Sequence, residues 1–179
     1  MKIVFAGGPC TGKSTLIDEL TARGYATVPE AARIVIGGIT GGVALMPWTP
    51  TRRYELQRQI ILKQIELESK VENSEYVFYD RSGIEALAYS KFFDLHIAPE
   101  IQNYIKNSKF DYIFLLEPVC DVKPDNIRFE NEADAKVLHS TIAMTYENLG
   151  YKLVKVPPLP VKQRADFILK YLEGKNVMV

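Results

Sequence analysis

Short apolar runs rich in Val, Ile, Phe and Tyr alternate along the chain with longer stretches whose apolar residues recur every three or four positions. The first pattern is that of buried strands and the second that of amphipathic helices. Strands are predicted at Lys2–Ala6, Tyr25–Val28, Tyr76–Tyr79, Tyr112–Leu116 and Lys152–Val156. A first helix is predicted from about Lys13 to Arg23, with Leu16, Ile17 and Leu20 on one side. The longest runs from about Thr51 to Val71, where Leu56, Ile60, Ile61, Ile65, Leu67 and Val71 recur near helical spacing and Pro50 suits a first turn. In a third, Ala133–Leu149, the apolar face is Val137, Leu138, Ile142, Tyr146 and Leu149, and Gly150 supplies a left-handed stop. A last helix covers Val161–Leu172, ahead of Gly174. Strand and helix in alternation predict an α/β fold, a parallel sheet with helices on both faces. Gly37 to Pro50 carries Gly37, Gly38, Gly41 and Gly42 before Met46-Pro47-Trp48, and reads as an irregular loop on the substrate side.

The first strand runs directly into Gly7-Gly8-Pro9-Cys10-Thr11-Gly12-Lys13-Ser14-Thr15, the pattern G-x-x-x-x-G-K-[ST] in the setting where it has meaning, between a strand and a helix. Such a loop wraps backbone N–H groups around phosphate oxygens, and Gly7 and Gly12 allow the backbone angles and close approach this needs. Lys13 supplies a point charge to the outer phosphates, Ser14 a hydroxyl to Mg²⁺, and the following helix aims its positive end at the same anion. Gly7 to Thr15 is therefore the expected nucleotide-binding segment.

In a parallel sheet ligands sit beyond the C-terminal strand ends, which singles out Val28-Pro29-Glu30-Ala31-Ala32-Arg33 and Val77-Phe78-Tyr79-Asp80-Arg81-Ser82. Phosphoryl transfer to a hydroxyl needs Mg²⁺, positive charge on the moving group, and a carboxylate that orients the acceptor and takes its proton. Glu30 is assigned as that base and Asp80 as the group holding Mg²⁺ through water, although the residues alone allow the two roles to be exchanged. The structural alternatives are a helix N-terminal glutamate for Glu30 and a helix cap for Asp80. Arg81 is expected on the phosphates or the acceptor, with a structural ion pair as its rival role; Arg33, one turn after Glu30, either clamps substrate or pairs with Glu30. Arg128 lies where a closing lid, about residues 120–135, would bring it onto the transferring group, and a solvated loop arginine is the other reading. Trp48 either stacks on a ring in the acceptor or anchors its loop. His96 and His139 have no partners at metal spacing and read as ordinary surface or helix residues.

The chain has 179 residues, 47% hydrophobic and 25% charged, which fits a single domain over residues 1–179. Lys plus Arg and Asp plus Glu number 22 each, so no global field favours nucleic acid, and DNA or RNA is not an expected partner. Cys10 and Cys120 lack metal spacing and read as reduced thiols. No apolar run approaches a membrane span and Met1-Lys2 lead straight into a strand, so a cytoplasmic protein is expected.

Taken together, Gly-Gly-Pro-x-Thr-Gly-Lys-Ser-Thr-Leu from Gly7 to Leu16, Val28 to Arg33, Leu45-Met46-Pro47-Trp48, Tyr79-Asp80-Arg81, and Tyr146-Glu147-x-Leu149-Gly150-Tyr151 followed by Pro157-Pro158 resemble a family almost end to end. It comprises small P-loop proteins often labelled predicted ATPases, AAA-like domains related to nicotinamide riboside kinases and more distantly to deoxynucleoside and nucleotide kinases. The resemblance implies a P-loop NTPase fold of nucleotide-kinase type, a three-layer sandwich whose five parallel strands follow the order 2-3-1-4-5, with a lid before the last strand. It implies ATP and Mg²⁺ and a small-molecule acceptor, without naming the metabolite. Asp80 is followed by Arg81 and not by the water-activating glutamate of an AAA-type remodelling ATPase. Asp80-x-x-Gly83 fits the short pattern of GTPase switches, but no Asn-Lys-x-Asp base-reading motif accompanies it, so guanine specificity is unsupported; ATP is the expected nucleotide, with GTP left open as the alternative. The leading expectation is a kinase acting on a hydroxyl of a small, nucleoside-like molecule. The second is a nucleotide-dependent switch that engages a protein or a phosphoinositide-like anion with slow hydrolysis.

Overall fold

The computed structural model describes residues 1–40, 49–71, 74–119 and 131–174. Five strands, β1 (Lys2–Ala6), β2 (Ala26–Val28), β3 (Val77–Asp80), β4 (Tyr112–Leu116) and β5 (Leu153–Val156), form one all-parallel sheet in the order β2-β3-β1-β4-β5. Among the described residues seven helices accompany them: α1 (Lys13–Ala22), α2 (Ala31–Thr40), α3 (Pro50–Ser69), α4 (Ile84–Phe92), α5 (Pro99–Asn107), α6 (Glu132–Asn148) and α7 (Val161–Leu172). Every predicted strand is present, with ends shifted by at most one residue.

Because side chains alternate along a strand, each sheet face builds its own core. Val4, Ala6, Val28, Tyr79, Ile113 and Leu115 face a cluster completed by Ile61 of α3, Ile84 of α4, Ile101 of α5 and Leu138, Ile142 and Tyr146 of α6. Ile3, Phe5, Phe78, Phe114, Leu116 and Val156 face the other way, onto Leu16, Ile17 and Leu20 of α1 and Ala165, Phe167 and Ile168 of α7. Both faces are covered, as the continuous apolar strands require. Among the described residues no helix is long and apolar enough to cross a membrane.

Helix ends follow local chemistry. Thr49 caps α3 by accepting from the Arg52 amide at 3.3 Å, with Pro50 in the first turn. Asn131 opens α6 with a reciprocal cap, its side chain accepting from the Asp134 amide at 2.9 Å while the Asp134 carboxylate accepts from the Asn131 amide at 3.4 Å. Gly150 ends α6 at φ 85°, where the Tyr151 amide reaches back to the Tyr146 carbonyl at 3.1 Å.

Several expectations change. Gly37 and Gly38, predicted in a loop, lie inside α2. Two glycines cost such a helix about 1 kcal/mol each, and the packing of α2 on α3, with Ile36 buried, offsets them. Residues 41–48 of the predicted loop, with Trp48, lie outside the described residues, as do residues 120–130 of the predicted lid, with Arg128; its last residues, 132–135, belong to α6. In α6 the buried stripe is Ala135, Leu138, Ile142, Thr145 and Tyr146, whereas Val137 and Leu149 are 55% and 40% exposed. In α3 the buried residues are Leu56, Gln57, Ile61 and Gln64, and Ile65 points outward. A hydrophobicity count could not find that face, because two of its members are amides. Helices α2, α4 and α5 were not predicted; α4 lacks a helical period, whereas α2 and α5 are short amphipathic segments of ten and nine residues.

Gly83 shows how tightly α4 is seated. A Cβ there would collide with the Ile61 Cδ1 atom and lie 2.6 Å from the Tyr104 ring. Its φ of −63° is open to any residue, so the requirement for glycine is close packing and not backbone angle. Gly83→Ala is expected to destabilise the fold by about 1–3 kcal/mol, read as a lower urea midpoint at unchanged slope. An unaltered midpoint would mean that Ile61 and Tyr104 have room to retreat.

Candidate active site at the carboxyl edge of the sheet

The loop after β1 has the geometry its sequence predicts. Gly7 sits at φ 138°, with the Leu116 carbonyl 2.9 Å from where a Cβ would stand, and Gly12 at φ 72° turns the chain into α1. Lys13, the first helical residue, is buried. Its Nζ donates to the Gly7 and Gly8 carbonyls, each at 2.7 Å, and to Thr11 Oγ1 at 2.9 Å. Burial, reinforced by the Arg81 charge, pushes the Lys13 ammonium down to about 8. Cys10 adopts φ 57°, and its carbonyl accepts from the Val119 amide at 2.9 Å, tying the loop to the end of β4. Pro9, Thr11, Ser14 and Thr15 line the same cavity as Lys13.

Asp80, the last residue of β3, is buried beside Lys13. Burial, and then the charge of Glu30, push its carboxyl up, while a hydrogen bond from Ser14 opposes them. Its Oδ1 is enclosed without a hydrogen-bond partner. It does not cap α4: that helix starts at Ile84, whose amide donates to Ser82 Oγ at 3.2 Å. A buried, orphaned carboxylate oxygen next to a serine hydroxyl suits a hard divalent cation such as Mg²⁺, which takes one or two protein oxygens and completes its shell with water and phosphate. Among the described residues no group of three or more His, Cys, Asp or Glu could hold a metal by itself.

Arg81 follows in a left-handed conformation, φ 71°, that costs a non-glycine residue about 1 kcal/mol. The turn sends its guanidinium across the strand ends. There Nε donates to Glu30 Oε1 at 3.0 Å, and Nη1 bonds the Glu85 carboxylate and lies 3.4 Å from the Gly7 carbonyl. Glu30, just before α2, also pairs with Arg33, Nε to Oε2 at 3.5 Å, so the predicted Glu30–Arg33 pair exists, within a larger network. Glu85 escaped the sequence analysis. It is buried, burial pushes its carboxyl up, and its Oε1 lacks a partner. Its position four residues after Arg81 on a helix was the available signal. His139, read as an ordinary residue, instead accepts a hydrogen bond from the Gly8 amide of the phosphate loop at 3.2 Å. Arg164, not singled out at all, is buried and donates to the Thr11 carbonyl at 2.7 Å.

Two cavities meet at this network. One is lined by the phosphate loop, the start of α1 and Asp80; the other opens between α2, α3 and α4. Pro9, Glu30, Arg33 and Arg81 line both and form the wall between them. The second cavity has aliphatic walls from Ile36, Leu56 and Ile60, rings from Tyr89 and Phe93, and polar groups from Gln57, Gln64 and Glu85. Arg53 stands over the Phe93 ring at 3.9 Å. The Gln64 amide is committed to Glu68 at 2.8 Å. The Gln57 side chain, only 6% exposed, makes no hydrogen bond to another described residue. Of the predicted site residues, Lys13, Ser14, Glu30, Arg33, Asp80 and Arg81 thus converge.

The comparisons agree with this architecture. No curated protein matches the sequence. Among solved structures, deoxyadenosine kinase from M. mycoides, with products dCMP and dCDP, superposes with a TM-score of 0.65 at 16% identity, over 97% of this chain and 100% of that one. The NadR protein in complex with NAD and AMP-PNP gives 0.69 at 18%, over 99% of this chain and 51% of that one, so the chain spans about half the length of NadR. Thymidylate kinase from Candida albicans gives 0.58 at 12%, over 97% and 91%. These likenesses establish the α/β P-loop kinase-like fold. A family model described as an AAA domain matches residues 2–164, and the chain belongs to that family.

Proposed function

We propose that the protein is an ATP-dependent phosphotransferase that moves the γ-phosphoryl group to a hydroxyl of a small nucleoside-like acceptor. The observation that carries this reading is the pair of cavities sharing the wall of Glu30, Arg33 and Arg81. A hydrolase or a binary switch needs one pocket for nucleotide; a transferase needs a second that meets the first where phosphorus changes hands. The structurally similar deoxyadenosine kinase and thymidylate kinase, and NadR with NAD and AMP-PNP, are consistent with nucleotide-type ligands in such a fold.

In this reading the triphosphate lies along Gly7 to Thr15, with Lys13 on its outer phosphates. Asp80 and Ser14 would hold Mg²⁺, which would supply charge neutralisation to the phosphates. The acceptor occupies the cavity of Tyr89, Phe93 and Gln57, where ring faces favour a flat group and an amide with no hydrogen bond to another described residue offers it a donor and an acceptor. Glu30 accepts the hydrogen bond of the acceptor hydroxyl and takes its proton as that oxygen bonds to the γ-phosphorus. The bond from phosphorus to the β,γ-bridging oxygen breaks, ADP leaves, and Glu30 returns the proton to solvent. Arg81, held between Glu30 and Glu85 and close to the Gly7 carbonyl, places a fixed charge beside the transferring group.

The test is acceptor-dependent ADP release across nucleosides, ring-bearing vitamins and sugars at fixed Mg²⁺ and ATP. At least one ring-bearing acceptor is expected to raise ADP release well above the rate with water alone. If none does and hydrolysis stays slow, the protein is a nucleotide-dependent switch instead.

A further inference from the structure

A trans peptide points its C=O and N–H in opposite directions, so a partner behind a loop decides what the loop shows in front. The Gly7–Gly8 peptide is gripped at both ends. Its carbonyl accepts from Lys13 Nζ at 2.7 Å, while its N–H donates to His139 Nδ1 of α6 at 3.2 Å. The Thr11–Gly12 peptide is held on one side, its carbonyl accepting from Arg164 Nη1 of α7 at 2.7 Å, which turns the Gly12 N–H the opposite way. Close approach at the same two places is independent of the hydrogen bonds. A Cβ on Gly8 would stand 3.1 Å from His139 Cβ, and one on Gly12 would stand 2.5 Å from Arg164 Nη2. At both glycines the missing side chain leaves the room that His139 and Arg164 occupy behind the loop.

We propose that His139 and Arg164 are positioning residues of the phosphate loop, each bracing one loop peptide from behind so that the remaining amides face the triphosphate before it arrives. This rests on the reading of Gly7 to Thr15 as a triphosphate site, and not on the identity of the acceptor. An anion nest stabilises charge well only when its dipoles are already oriented, because turning a peptide at the moment of binding subtracts from the affinity. Arg164 suits the task electrostatically. Its guanidinium is buried, burial pulls it below its ordinary value, and among the described residues no carboxylate pairs with it, which leaves the Thr11 carbonyl as its hydrogen-bond acceptor.

His139 braces only as the neutral ring with its proton on Nε2, since an imidazolium has no lone pair for the Gly8 amide. The groups that face it are Glu117 after β4, which favours the proton, and Lys13 and Lys155, which with partial burial oppose it. Burial is the largest influence and the result lies below the ordinary 6.5, so the brace is intact at neutral pH and lost on acidification.

The experiment is Mg²⁺–ATP affinity by displacement of a fluorescent ATP analogue from the full chain, between pH 5.5 and 7.5, with thermal unfolding as the folding control. His139→Leu and Arg164→Met are each expected to weaken binding about tenfold or more at pH 7.5. His139→Asn, whose Oδ1 stands near the place of Nδ1 and does not titrate, is expected to stay within about threefold at pH 7.5. Wild type should lose affinity relative to His139→Asn as the pH falls, following one proton. Wild-type affinity in His139→Leu, or parallel pH profiles for wild type and His139→Asn, would overturn the brace. If His139→Leu or Arg164→Met fails to fold, the comparison of wild type with His139→Asn decides. A wild-type protein that does not bind ATP would overturn the phosphate site itself, and the brace with it.

Discussion

Lys13→Ala is expected to lower turnover by about two to three orders of magnitude or more and to weaken ATP binding, because it removes the one ammonium buried in the phosphate loop. The variant should still fold, since the carbonyls of Gly7 and Gly8 can be met by water in an open cavity. The wild-type residue also sets a pH dependence with a definite sign. Without nucleotide the Lys13 ammonium titrates at about 8, held down chiefly by burial. A bound triphosphate replaces lost solvation with negative charge and raises that value. Below pH 8 the lysine is charged in both states and contributes no slope. Above pH 8 the free protein has lost the proton that the complex keeps, so binding takes up a proton and the dissociation constant should rise about tenfold per pH unit until the bound value is reached. Calorimetric titration in two buffers of different ionisation enthalpy would read the proton uptake directly. A pH-independent affinity between 8 and 10, or turnover in Lys13→Ala close to wild type, would remove this residue from the reaction.

Glu30→Gln is the second large effect. The substitution keeps shape and a hydrogen-bonding oxygen but removes the base, and should reduce kcat for acceptor phosphorylation by about 10²–10⁴-fold with ATP affinity within about threefold. In the proposed reading the two quantities separate because Glu30 belongs to the wall between the two cavities, whereas the loop backbone and Lys13 would hold the triphosphate. Arg81 would remain anchored by Glu85, so the variant does not leave a buried guanidinium unpaired. An unchanged kcat would assign the proton transfer elsewhere. An equal loss of ATP affinity and kcat would make Glu30 a structural partner of Arg81 and Arg33 only.

The phosphate loop was legible because its chemistry is contiguous. Nine consecutive residues, from the end of β1 into the first turn of α1, carry the glycines, the ammonium and the hydroxyl together, and the local backbone does the rest. Glu30, Asp80 and Arg81 were legible for a related reason: they follow strands whose apolar runs are unmistakable, and a parallel sheet delivers every strand end to one edge. The strand order follows the resemblance. Glu85, Gln57, His139 and Arg164 were not legible. Their roles come from tertiary placement: His139 and Arg164 meet loop residues far along the chain, Glu85 is buried with Arg81 one helical turn away, and Gln57 lines a cavity.

What the sequence determined unaided is therefore what neighbours in the chain can build: five strands, the loop that turns β1 into α1, and a row of carboxylates and arginines at one edge. What tertiary structure alone decided is which of those groups touch and in what state of charge. The left-handed turn at Arg81 joins Glu30 to Glu85, burial lowers Lys13 and raises Asp80, and α6 and α7 close on the back of the loop. These depend on distances between elements and on the exclusion of water, quantities that no local pattern of residues encodes.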